Sequence, residues 1–214
     1  MFSSPLRNIL QLAVGVFIAA AVMHTWLVMG LAVPVTVAGS SMAPTLQGPH
    51  RMFRCDECQF EFPVELDQLL DDDRANCPRC GQCSGHRCEA CDQRGDRLLV
   101  DRTAFAFRQP RRWEVVVFRS PADANQLFVK RVVGLPGETV ALRADEIWIN
   151  GQAVPKPGGG SYKLRIGDRD QCHLGPTEYF VLGDNANISD DSRSWPIGPG
   201  VDAKLLVGKP LGVR

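Results

Sequence analysis

The chain has 214 residues with 24 basic and 24 acidic side chains, so its formal charge is balanced. That balance argues against a nucleic-acid binder working through a broad basic surface and against an acidic tail. A hydrophobic share of 44% excludes a disordered chain. Only five of the basic residues are lysines (Lys130, Lys156, Lys163, Lys204 and Lys209), so chemistry that needs an amine has few choices. Seven of the eight cysteines crowd between Cys55 and Cys91, which points to a local metal-bound or cross-linked insert rather than a disulfide framework for the whole chain.

Residues 9–33 carry no formal charge, and Gln11, His24 and Thr25 are the main polar interruptions. As a helix this run spans about 37 Å, enough to cross a hydrocarbon core of about 30 Å. It is apolar all round, unlike the face of a core helix. It is also longer than the apolar core of about 7–15 residues in a cleaved signal peptide, although Thr36-Val37-Ala38 imitates a cleavage site. Arg7 precedes the run and the next charge is Arg51. The positive-inside rule therefore predicts a cytoplasmic N-terminus and an exported remainder. Pro34 is expected to end the helix at Val33, and residues 33–37 read as β-branched strand.

Residues 47–94 differ in composition from what flanks them, with the cysteine cluster and the acidic run Asp71-Asp72-Asp73. From Gly95 the pattern returns to strands, over 97–102, 115–119, 127–133, 139–142, 147–149, 179–182 and 205–207. Asn150-Gly151 between two apolar runs predicts a two-residue hairpin turn with positive φ at both positions. Leu135-Pro136-Gly137 predicts another turn. The part beyond the helix is mainly β.

Within the insert, Cys55-x2-Cys58 is followed after 18 residues by Cys77-x2-Cys80. Each pair presents two thiolates from a tight knuckle, and four thiolates make the closed tetrahedral site that structural zinc prefers. The segments Phe53-Arg54-Cys55-Asp56-Glu57-Cys58 and Cys77-Pro78-Arg79-Cys80-Gly81 resemble a rubredoxin-like or zinc-ribbon knuckle pair. Cys83, His86, Cys88 and Cys91 form a possible second set. Disulfides in an exported domain are the alternative, and redox chemistry by one Cys-x2-Cys pair is a third. Cys172 and His173 stand alone in a polar stretch and read as surface or core filler.

The four histidines lie in the apolar run, the insert or a loop, so a Ser/His/Asp triad finds no support. Lysine is the alternative base. It titrates near 10.4 when free, and lowering it by about three units takes about 4 kcal/mol of desolvation. Lys130 suits that demand, because strand alternation sets it on one face with Phe128 and Val132. A lysine whose head snorkels to water is the plain reading of the strand alone. Ser41 stands at a glycine-led turn just after the apolar run, followed by Pro44.

Gly39-Ser40-Ser41-Met42-Ala43-Pro44-Thr45-Leu46 resembles the Ser-Met-x-Pro-Thr-Leu box of type I signal peptidases, Ser/Lys membrane proteases. The resemblance continues at Gly95-Asp96-Arg97-Leu98-Leu99-Val100, at Lys130-Arg131-Val132-Val133-Gly134-Leu135-Pro136-Gly137, and from Gly183-Asp184-Asn185 to Ser189-Asp190-Asp191-Ser192-Arg193-Ser194-Trp195. It implies a mainly β, signal-peptidase-like catalytic domain with one N-terminal transmembrane helix and a small zinc-ribbon-like insert. Residues 1–8 would be a cytoplasmic tail, 9–33 the anchor, 34–46 and 95–214 the peptidase domain, and 47–94 the insert. It makes Ser41 the nucleophile and Lys130 the general base, with Ser189 orienting the base and Asp191 and Arg193 supporting their loop. Val37, Met42, Leu46 and Val129 align with its pocket-lining positions. Where some members carry a second oxyanion-hole serine this chain has Gly39, which leaves the Ser41 backbone N–H as the expected donor.

What the resemblance implies for function is cleavage of signal peptides from exported preproteins after small residues of the Ala-x-Ala type. The enzyme would sit at the cytoplasmic membrane in contact with the lipid bilayer, without nucleic acid. No cofactor is expected for catalysis, and structural zinc is expected in the insert. The rival from another class is a membrane-anchored zinc-ribbon module that binds a partner and carries a degenerate peptidase domain.

Overall fold

The computed structural model describes residues 4–66, 74–77, 79–84, 93–143, 146–157, 170–196 and 198–213. The apolar run forms helix α1 (Ser4–Leu31), of which Asn8–Thr25 is long and apolar enough to cross a membrane and is exposed along its length. The helix stops two residues before the expected Val33, because strand β1 (Ala32–Thr36) begins at once. The N–H of Arg102 donates to the Leu31 carbonyl at 2.8 Å, so the body of the protein takes up one of the carbonyls that a helix end leaves unpaired. Pro34 therefore lies inside a strand, opposite Leu99. It is tolerated there because β1 is the outer strand of its sheet, where one edge needs no donor.

Four short strands follow in the cysteine-rich stretch: β2 (His50–Arg54), β3 (Glu61–Glu65), β4 (Ala75–Asn76) and β5 (Cys83–Ser84). The remainder holds β6 (Arg97–Asp101), β7 (Val115–Arg119), β8 (Leu127–Gly134), β9 (Thr139–Arg143) and β10 (Glu146–Ile149). It ends with β11 (Gln152–Val154), β12 (Gln171–His173), β13 (Glu178–Leu182), β14 (Val201–Asp202) and β15 (Leu206–Pro210). One seven-stranded sheet runs β1-β6-β15-β7-β8-β13-β14, and a four-stranded sheet runs β11-β10-β9-β12. The hairpin of β2 and β3 and the pair of β4 and β5 are separate from both.

β8 links the two main cores. Val132 packs with Val116, Phe118, Tyr179, Val181, Trp195 and Val201, whereas Val133 packs with Val140, Leu142, Ile147, Ile149, Leu174, Phe180 and Leu182. A strand covered on both faces needs apolar residues on both, which accounts for the unbroken run Val132-Val133. Asn150 and Gly151 take φ of +51° and +82° in the tight turn between β10 and β11, as their pairing predicts. Cys172 is core, buried on β12 against the second cluster, while the exposed His173 meets the Thr139 hydroxyl at 3.0 Å. β12 and β14 escape a sequence reading because two or three residues carry no period.

The segment that follows β13 is held by a buried ion pair. Asp191 receives Arg193 Nε at 2.9 Å and Nη2 at 3.0 Å, and neither side chain is exposed. The same carboxylate accepts the Gly183 N–H at 3.1 Å, and Arg193 Nη2 also reaches the Ala186 carbonyl at 3.0 Å. Ser192 Oγ accepts the Val181 N–H at 2.9 Å. The pair thus closes the segment onto the end of β13. Arg193→Met keeps the volume but leaves Asp191 charged and buried without its cation, so stability should fall by about 3–5 kcal/mol. Chemical denaturation measures this, and a midpoint equal to wild type would remove the pair from any structural role.

Candidate active site

Ser41 sits in a turn between β1 and β2. The turn is closed by the Ala43 N–H on the Ser40 carbonyl and the Leu46 N–H on the Met42 carbonyl, both at 3.0 Å. Ala43-Pro44 is cis. Met42 and Leu46 are buried and anchor the turn in a small core with Val37, Leu98 and Val115. Ser41 itself remains half-buried.

Lys130 projects from β8 opposite Val116 of β7 and is only 4% exposed. Its Nζ lies 5.8 Å from the centre of the Phe128 ring, on the shared strand face that alternation predicts. Arg131 takes the opposite face. It grips Asp184 through Nε at 2.8 Å and Nη2 at 2.7 Å, and its Nη1 donates to the Trp113 carbonyl at 2.7 Å. Thr45 Oγ1 donates to the same Asp184 carboxylate at 2.6 Å. Burial alone would raise Asp184, but the Arg131 and Thr45 hydrogen bonds and the Arg131 and Lys156 charges hold it below the usual carboxylate value. The bridge between β8 and the Ser41 turn is therefore ionised at neutral pH, and it is lost only as pH falls below the ordinary value toward the lowered one.

The third segment arrives through close backbone contact. The Asn185 N–H donates to the Ser41 carbonyl at 3.1 Å, and the Ser189 N–H donates to the Asn185 carbonyl at 3.1 Å. A Cβ on Gly183 would come within 2.4 Å of the Ser41 carbonyl oxygen and 2.1 Å of Ser189 Oγ, so only glycine lets the three backbones meet here. Ser189 is fully buried, and its hydroxyl has no hydrogen-bond partner among the described residues. Such an atom costs about 1–3 kcal/mol.

Ser41 and Lys130 line one cavity of about 390 Å³. Its wall is mostly apolar and includes Val35, Val37, Leu98, Val117, Leu127 and Val129, with Ile188 and Asp190 on the side of the Ser189 segment. Of the four residues aligned with pocket positions, Val37 and Val129 are on this wall, while Met42 and Leu46 pack in the core beneath the Ser41 turn. Val35 and Leu127 fall two residues from Val37 and Val129, so strand alternation could have found them. Leu98 and Val117 reach the wall only through the order of the sheet. A Cβ at Gly39 meets nothing within 4 Å.

The cysteine-rich stretch gathers Cys55, Cys58, Cys77 and Cys80 so that all four sulfurs lie within 4.8 Å of one another. These cysteines are free, with Cys55 Sγ 3.4 Å from Cys80 Sγ and Cys58 Sγ 3.7 Å from Cys77 Sγ. A tetrahedral zinc with bonds of about 2.3 Å requires sulfurs about 3.8 Å apart, so the donor set and its spacing fit that ion. The two knuckles repeat one backbone design. Gln59 N–H bonds the Cys55 carbonyl and Gly81 N–H the Cys77 carbonyl, while Cys55 N–H bonds Phe60 and Cys77 N–H bonds Gln82. Gln59 and Gly81 both have positive φ, at +56° and +78°. Burial opposes the Cys77 thiolate, yet the N–H groups of Cys80 and Arg79 and the facing thiols bring Cys77 down to about 7. Of the second set, the Cys83 side chain and all of His86, Cys88 and Cys91 lie outside the described residues.

The family described as signal peptidase, peptidase S26, matches residues 82–211, which include Lys130, Ser189, Asp191 and Arg193 and leave Ser41 outside the match. Signal peptidase I of Leptolyngbya laminosa is 37% identical over 117 residues, covering 49% of this chain and 54% of that protein. Signal peptidase I V of Bacillus subtilis (strain 168) is 34% identical over 128 residues, covering 54% of this chain and 73% of that protein. The chain thus spans about half the length of the first of these relatives and about three quarters of the second. The crystal structure of a signal peptidase I from Enterococcus faecalis V583 is 28% identical, covers 48% of this chain and 97% of its own, and has a TM-score of 0.38. With the family match running over more than half of the sequence, from β5 to β15, the chain belongs to the signal peptidase family, peptidase S26.

Proposed function

We propose that this protein is a membrane-bound serine endopeptidase that removes signal peptides from exported preproteins after small residues. The observation that carries the reading is the shared cavity, with Ser41 and the buried Lys130 on the wall of an apolar channel. Lys130 is buried in the largely apolar lining of the cavity, the setting a neutral lysine base requires. Lys130 Nζ then takes the Ser41 Oγ proton as Oγ attacks the scissile carbonyl. The Ser41 N–H faces the developing oxyanion. Collapse of the tetrahedral intermediate transfers the lysine proton to the leaving amine and forms an acyl-enzyme. Lys130 next deprotonates a water, which releases the cleaved acid and the free serine. Ser189, with its buried unpaired hydroxyl, supplies a hydrogen-bond partner that orients the amine. The short apolar wall suits Ala-sized side chains flanking the scissile bond.

The anchor reading assigns residues 1–8 to the cytoplasm, 9–33 to the membrane, and 34–46 with 95–214 to an exported peptidase domain interrupted by an insert at 47–94. It is supported by the exposed apolar helix that leads directly into β1. The four-thiol cluster is read as one structural zinc site, held by Cys55, Cys58, Cys77 and Cys80, that takes no part in the bond-breaking chemistry.

Ser41→Ala and Lys130→Ala should each abolish processing of an Ala-x-Ala precursor while leaving circular dichroism and melting unchanged. Lys130→Arg should be equally inactive, because a guanidinium stays protonated at accessible pH. Full processing by Lys130→Ala would sink the dyad. Gly39→Ser has room for its side chain, and a second oxyanion donor there should raise kcat by up to about tenfold, a fraction of what a single donor supplies in a fully organised site. Metal analysis of the purified full chain should find about one zinc per molecule. Absence of metal with the four thiols oxidised would favour the disulfide alternative.

A further inference from the structure

The insert and the nucleophile turn meet at a neck made of backbone. Val37 N–H donates to the Asp96 carbonyl at 2.9 Å, and Asp96 N–H donates to the Gln47 carbonyl at 2.9 Å. Gln47 N–H donates back to Asp96 Oδ2 at 2.8 Å. Both ends of the loop that carries Ser41 are therefore tied to Asp96, just past the end of the insert. Beside these bonds Gly48 lies flat on Gly39. A Cβ on Gly48 would stand 2.9 Å from the Gly39 carbonyl carbon, 3.0 Å from its oxygen and 2.8 Å from Glu65 Oε2. A Cβ on Gly95 would stand 2.0 Å from the Val37 carbonyl oxygen. The two glycines at the root of the insert thus press on the chain two and four residues before the nucleophile.

The root continues without a break into the cysteine knuckles. Leu66 N–H bonds the Pro49 carbonyl at 3.0 Å, and His50 and Gln93 exchange two backbone bonds at 3.1 and 2.6 Å. β2 then runs from His50 to Arg54, one residue before Cys55. Among the described residues this unit is held by the β2–β3 hairpin, a small apolar core and the four sulfurs. Its buried core is Phe53, Cys55, Phe62, Val64, Ala75 and Cys77, two of which are sulfur ligands. A core this small usually needs a metal or cross-link, and on the zinc reading the ion also fixes the geometry of the root.

We infer that the metal-bound insert is a positioning element of the peptidase, which holds the Ser41 turn in its reactive geometry through the contact of Gly48 and Gly95 with residues 37–39. This rests on the zinc reading of the two knuckles. Gly48 is the positioning residue, acting on Ser41 through Gly39.

The test uses the full chain in detergent micelles, a fluorogenic Ala-x-Ala peptide and zinc as the only added metal. Trp113, Trp148 and Trp195 report on the peptidase body and none of the four tryptophans lies in 47–94, so emission separates loss of the insert's geometry from unfolding of the body. Stripping zinc with a chelator should lower kcat by about tenfold to a hundredfold, the scale expected when a reacting group moves by about 1 Å. KM should stay within about twofold, tryptophan emission should hold, and zinc should restore the rate. Gly48→Ala should keep the full zinc content and show the same loss in kcat, whereas Arg54→Ala, on the exposed face of the hairpin, should match wild type. If wild type binds no zinc, the metal reading fails. If it binds zinc but neither stripping nor Gly48→Ala changes kcat, the positioning role is wrong and the zinc site stands. Collapse of tryptophan emission on stripping would also overturn the positioning role, because the insert would then be part of the body's fold.

Discussion

One carboxylate decides where the Ser41 turn and the Lys130 strand stand relative to each other. Asp184 receives Arg131, the neighbour of Lys130 on β8, and Thr45, four residues after Ser41. These residues come from parts of the chain separated by 53 and 139 positions. A buried carboxylate needs cation and hydroxyl partners to stay ionised, and those partners are the segments that must meet. The Arg131–Asp184 pair is thus an orienting device before it is a stabilising one. Beside it, Gly183 lets the Ser41 carbonyl and the Ser189 side chain approach closer than any side chain at that position would permit.

With the three segments joined, the cavity follows. β1 and β6 supply one wall and β7 and β8 the other, and Lys130 enters at the edge of an apolar lining with little solvent access. Ser189 offers a buried hydroxyl, and Asp190 sits on the wall with its carboxylate held by Ser194 Oγ at 2.8 Å. A largely apolar lining of this kind suits the neutral amine of the proposed mechanism. The fully buried Asp191–Arg193 pair keeps its own charges satisfied and away from that lining.

The cysteine-rich stretch obeys different rules from the body around it. The body is held by two sheets and large apolar clusters. The insert relies on a hairpin, a stacked pair of rings at Phe53 and Phe62, and four sulfurs brought together by two copies of the same knuckle. It nevertheless leaves and re-enters the body at glycines that touch Gly39 and Val37, just before Ser41.

Much of this was legible in the residues. The charge-free run, the Asn150-Gly151 turn, the alternation that sets Lys130 between Phe128 and Val132, and the paired Cys-x2-Cys knuckles are local patterns. Local backbone sterics and periodicity determine them without reference to the rest of the chain. What lies outside such patterns was not legible. Pro34 fell in a strand because β6 offered an edge to pair with, and Met42 and Leu46 turned inward because the turn needed an anchor. The strands of two or three residues formed only against partners already in place. Sequence alone therefore determined the local turn and strand face that present Ser41 and Lys130, and which sulfurs belong together, since both are written in short spacings. Only the tertiary structure decided that Asp184 binds the two halves of the site, that Gly183 is their point of closest approach, and that the insert is rooted on Gly39. Those contacts join residues far apart in the chain, and their energies depend on burial and distance that no local spacing encodes.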